Sequence, residues 1–65
     1  MAPLTKEQTK AARDLLSWRS ADLSERAGIS SDTLRSFESG RTNNLSSPNE
    51  HAVREALENA GIQFL

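Results

Sequence analysis

The sequence predicts an all-α domain of four to five helices, and three observations carry that prediction. Apolar residues recur three and four apart, the helical period rather than the alternation of a strand. Serines, threonines and asparagines stand ahead of the apolar stripes, where a helix N-cap is wanted. The three glycines, at 28, 40 and 61, fall just past the last three stripes, where a left-handed residue stops a helix. With 65 residues there is room for one domain over 1–65, and it is marginal in size for a core of its own. Only "IQFL" at 62–65 resembles strand alternation, and it reads as a short strand or as a tail packed on the core.

The first helix is expected from Lys6 to Ser17. Thr5 and Gln8 have the spacing of a capping box, and Ala11, Ala12, Leu15 and Leu16 supply the apolar face. Ser20 can cap a second helix over Ala21 to Ala27, with Leu23 and Ala27 as its stripe and Gly28 as its stop. Ile29 is an apolar residue inside the turn and is expected to pin it to the core. Ser30 restarts the chain as a third helix, Ser31 to Ser39, with Asp32 in the first turn, where the helix dipole favours negative charge. Leu34 and Phe37 face inward together, and Gly40 ends the segment. A polar loop, "RTNNLSS", contains one apolar residue, Leu45. Ser47 and Glu50 form a second capping-box pattern around Pro48, opening a fourth helix over Pro48 to Ala60 with Val53, Ala56, Leu57 and Ala60 on its inner face.

Composition excludes several functions. There is no cysteine, so neither a disulfide frame nor a Cys–His nucleophile is available, and His51 has no second histidine with which to hold zinc. No phosphate-cradling glycine loop is present. An enzyme is not expected, nor a cofactor. No apolar run approaches the ~18 residues of a membrane helix, and the first residues lack the basic-then-apolar order of a signal peptide, so a cytoplasmic protein is expected. The net charge is −1, which argues mildly against indiscriminate binding to nucleic acid. The charge is uneven: residues 1–41 carry seven Lys/Arg against six Asp/Glu, whereas residues 42–65 carry Arg54 against Glu50, Glu55 and Glu58. The first part is therefore free to face an anion.

Two short helices joined by a tight glycine turn make a helix-turn-helix, in which the second helix lies in the DNA major groove. At "DLSERAGISSDTLRSFESGR" the chain resembles the phage-repressor-like (Xre/Cro) family of small transcriptional regulators. "LTKEQTKAARDLLSW" is similar to that family's first helix, and "AVREALENAGIQFL" to its closing helix and terminal strand. The resemblance implies a repressor-like fold, binding to double-stranded DNA at a near-palindromic operator as a homodimer, and repression of transcription. It also implies a salt bridge between Arg13 and Glu38, two residues that otherwise read as ordinary surface charges. The chain departs from the family after Trp18, where Arg19 and Ser20 replace the usual serine and glutamine. Arg19 reads either as a charged phosphate contact or as a solvated side chain.

In the resembling family the base-facing positions correspond to Ser31, Asp32, Arg35 and Ser36. Arg35 is the strongest reader, because arginine pairs bidentately with guanine. Asp32 either accepts from a cytosine amino group or serves only the helix dipole. Expected backbone contacts are Arg19, Ser20, Thr33, Arg41, Thr42, Asn43 and Asn44, although a polar loop alone would have the same composition. Ile62, Phe64 and Leu65 are too apolar for a free tail. They form a dimer interface or close the monomer's own core. The competing function is a protein-binding module on the same scaffold, anti-activator or antitoxin in kind, which the acidic balance favours.

Overall fold

The chain is described by a computed structural model covering residues 4–42 and 44–64. Its elements are α1 (Lys6–Leu16), α2 (Ser20–Ala27), α3 (Ser31–Glu38) and α4 (Ser47–Asn59), and there is no strand among the described residues. The fold is all-α, as the sequence predicts. The segment 62–64 is a tail rather than a strand, with Ile62 and Phe64 half-buried against the core.

Local chemistry sets each boundary. At the start of α1 the Thr5 hydroxyl accepts from the Gln8 amide at 3.0 Å, and the Gln8 side chain accepts from the Thr5 amide at 3.0 Å. The helix ends at Leu16, one residue earlier than expected, because Ser17 is left-handed at φ 58°. The Trp18 amide then donates to the Arg13 carbonyl at 2.9 Å, closing the last turn. The α2 start also differs. Arg19, not Ser20, is the N-cap, and Asp22 accepts from the Arg19 amide at 2.9 Å. The Asp22 carboxylate, three residues on, satisfies the amide of the cap residue itself, and the Arg19 side chain makes no cap hydrogen bond to the first turn. At α3 the Ser30 hydroxyl caps the Asp32 amide at 3.2 Å, as expected. At α4 the cap is Ser46 rather than Ser47, its hydroxyl accepting from the Asn49 amide at 3.4 Å. Glu50 thus lies one place too deep to close a capping box and pairs instead with Arg54 at 3.4 Å.

The core contains Leu4, Ala12, Leu23, Leu34, Phe37, Leu45, Val53 and Leu57. Ile29 and Trp18 pack partly against it. α2 packs on both α3 and α4, and α1 on α3. The inward face of α1 differs from the predicted stripe. Thr9 and Ala12 are buried and Leu16 is half-buried, whereas Ala11 is exposed and Leu15 is 79% exposed. Thr9 can take a core place because its hydroxyl donates to the Thr5 carbonyl at 2.9 Å, which satisfies the buried polar group locally. Ser24 does the same in α2, donating to the Ala21 carbonyl at 2.9 Å.

Candidate nucleic-acid interface

α2, the turn at Gly28 and α3 are arranged as a helix-turn-helix. Gly28 is left-handed at φ 73°, and the Ile29 amide donates to the Ser24 carbonyl at 3.0 Å, so the bend is hydrogen-bonded and short. Along α3, Leu34, Phe37 and Glu38 face in. Asp32 and Arg35 face solvent.

The far end of α3 is anchored from α1. Arg13 Nε donates to Glu38 Oε2 at 2.8 Å and Nη2 donates to Oε1 at 3.1 Å, a bidentate pair. The third donor, Nη1, reaches the Trp18 carbonyl at 3.1 Å. One guanidinium therefore ties α1, the α1–α2 corner and the end of α3 together. The side chains are only 16% and 7% exposed, which sets this pair apart from the ordinary surface charges that Arg13 and Glu38 could have been. Trp18 is held from its other side by Arg26, whose guanidinium carbon lies 4.5 Å from the ring centroid.

The outward face of α3 and the turn after it form one open depression of about 590 Å³. Of the base-facing candidates, Asp32, Arg35 and Ser36 line it, with the backbone candidate Arg41 and with Ser39. Ser39 is not among the sequence candidates, although it follows Ser36 by three and Arg35 by four and so shares their helical face. The turn is tightly held. The Ser36 carbonyl accepts from the Arg41 amide at 2.9 Å, the Thr42 amide at 3.3 Å and the Ser39 hydroxyl at 3.2 Å. Ser31 and Thr33 are half-buried and lie outside the depression.

Within the depression the two charged candidates meet each other. Arg35 Nη2 lies 3.0 Å from Asp32 Oδ1, and both side chains are largely exposed. The pair sets Arg35's charge against a carboxylate on the same face. A further cation comes from α1: Lys6 Nζ stands 3.0 Å from where a Cβ on Gly40 would lie, against the turn that leaves α3. No local pattern in the sequence could have placed Lys6 there, since α1 and α3 meet only in the fold.

The other expected backbone contacts divide. Arg41, Thr42 and Asn44 are exposed beyond α3, and Asn43 lies outside the described residues. Arg19 is 87% exposed and stands 3.8 Å from Asp22, so it can reach an anion. Ser20 is a correction, because its hydroxyl is buried and has no hydrogen-bond partner among the described residues. As the first residue of α2 rather than its cap, it turns its side chain inward, where a phosphate does not reach it. At the opposite end of the chain Ile62 and Phe64 pack on their own core, Arg54 lies over the Phe64 ring at 5.1 Å, and Leu65 is outside the described residues. His51 is an exposed partner of Glu55 at 3.2 Å. No group of acidic, histidine or cysteine side chains suited to a metal occurs among the described residues, and no helix there is long and apolar enough to cross a membrane. No family model matches the chain, and no curated protein is similar to it in sequence.

Proposed function

We propose that the chain is a sequence-specific DNA-binding transcriptional regulator of the phage-repressor-like helix-turn-helix kind, which sets α3 in the major groove. The observation that supports this best is the pairing of an outward face on α3, carrying Arg35 beside Arg41, with the buried Arg13–Glu38 clamp that fixes the helix from behind. A reading helix must present its side chains at a defined angle, and the clamp does that without using any group the DNA would need. Arg35 reads guanine. Arg41, Lys6 and Arg19 take phosphates, with Thr42, Asn43 and Asn44 in the adjoining loop.

Reach argues for two copies. An eight-residue helix is about 12 Å long, which covers on the order of four base pairs at ~3.4 Å each. So short a half-site is not selective in a genome, and two-fold pairing on a near-palindromic operator supplies the second half. Bound at a promoter, such a dimer excludes other proteins, which is repression.

Selection of bound DNA from a random pool tests the reading. A recovered palindrome with a guanine in each half-site is expected, and Arg35→Ala should then lower affinity by about 1–3 kcal/mol and relax the preference at that guanine. Arg41→Ala should weaken binding to all sequences evenly and reduce the salt slope by about one. A second reading has its own observation: Asp32 already occupies Arg35, which lowers the positive charge of the face and suits a protein partner of the antitoxin or anti-activator kind. Absence of any DNA retardation at low salt would favour that reading.

A further inference from the structure

We propose that the outward face of α1 is the seat of a second copy of this chain, with Leu15 of each copy inserted beside Ala11 of the other. This assigns a surface to the pairing proposed above, and free protein suffices to test it.

Leu15 is the exposed large hydrophobic residue among the described residues, at 79%. It stands at the edge of a groove of about 260 Å³ whose walls include Ala11, Ala12, Ile62 and Phe64. Knob and hole thus lie in one patch, which is the requirement of an isologous two-fold interface, where the same surface serves both partners. Ala11 is one turn before Leu15 on the same face, and its small side chain leaves room for a leucine from an antiparallel neighbour.

The charges beside the patch point to the same occupant. Glu7, Lys10 and Asp14 are exposed along the other flank of this face. Lys10 and Asp14 are four apart, the spacing of an intrahelical pair, yet neither has an ion-pair partner among the described residues. An antiparallel two-fold pairing of α1 brings each flank against its own copy with the order reversed. Lys10 then faces the partner's Asp14, and Asp14 faces the partner's Lys10. The tails carrying Ile62 and Phe64 converge on the opposite flank, so the apolar tail joins the same interface. A partner of one sign of charge would meet either Lys10 or Asp14 as a like charge, whereas a second copy satisfies both.

Sedimentation or light scattering of the full chain over a concentration series reads this directly. The 7.1 kDa chain is expected to double in mass as concentration rises. Leu15→Glu should raise the dimer dissociation constant on the order of a hundredfold, because two leucines leave the interface at once. Being at an exposed position, this variant should keep the helical circular dichroism of the parent. Lys10→Glu and Asp14→Lys should each weaken self-association by like-charge contact. An equimolar mixture of the two should restore it, since the carboxylate introduced in one chain then meets the ammonium introduced in the other. A parent chain that stays monomeric, a Leu15→Glu variant that dimerises like the parent, or a mixture no better than its components would each overturn the proposal. DNA retardation by the same samples, measured apart, decides the groove-binding reading without touching this one.

Discussion

Truncating Glu38 should be among the most damaging single changes in this protein. In Glu38→Ala the Arg13 guanidinium loses two of the three acceptors that the structure gives it, keeping only the Trp18 carbonyl. At 16% exposure it has little access to water in exchange. Stranding a buried charge in this way costs ~3–5 kcal/mol. A domain of 65 residues has a total stability of only about 3–10 kcal/mol, so the loss ranges from a third to the whole. With roughly 4–8 °C of melting temperature per kcal/mol at this size, the midpoint should fall by at least about 12 °C. Urea and thermal unfolding followed by circular dichroism measure it. The double variant Arg13→Met/Glu38→Leu leaves no charge unpaired and should recover most of the loss. If Glu38→Ala cost less than ~1 kcal/mol, the range of exposed pairs, or if the double variant lost the sum of the two singles, the clamp would not hold α3 as described.

Other changes test the turns and the proposed reading face. Gly28→Ala should cost ~1 kcal/mol, all of it from the left-handed backbone, because an added Cβ meets nothing within 4 Å. Ser17→Gly should act in the opposite direction and raise stability by less than about 1 kcal/mol, since the left-handed strain at φ 58° outweighs the extra freedom of an unfolded glycine. Ser20→Ala should stabilise the fold by about 1 kcal/mol in urea titration, as it removes a buried hydroxyl that has no partner among the described residues. Asp32→Asn should release Arg35, tighten binding to random DNA and narrow the ratio between selected and random sequences, measured by fluorescence anisotropy in a salt series.

The fold is legible wherever a signal is local. Thr5 with Gln8, Ser30 ahead of Asp32, and Gly28 after Ala27 are short-range chemistry, and each acts in the structure as the sequence implies. The misses at α2 and α4 are one-residue shifts: at α4 two adjacent cap formers, Ser46 and Ser47, compete, and at α2 the helix begins at the good cap former Ser20 itself, leaving Arg19, which has no side-chain acceptor, as the cap. On α1 the expected apolar stripe runs through Leu15 because leucine outranks threonine on any hydropathy scale. The packing instead buries Thr9, whose hydroxyl finds its own backbone carbonyl. The candidate site is legible on α3, where one helix supplies the face. Lys6 beside Gly40 depends on packing between helices, which a linear pattern does not encode, whereas the three-residue spacing of Asp32 and Arg35 is open to view in the sequence and their pairing is a miss.

The division of labour within α3 has a consequence for how such a chain can change over generations. Leu34, Phe37 and Glu38 hold the helix to its neighbours, while Asp32 and Arg35, interleaved with them, touch no buried residue in any contact described above. Variation at 32 and 35 therefore leaves the core packing untouched and alters stability only through the helix dipole, the surface pair and helix propensity, each worth a few tenths of a kcal/mol for residues other than glycine and proline. A population can drift through many outward-facing sets with little change in the core, and a library randomised at those two places, proline and glycine aside, should stay folded while differing in what it captures.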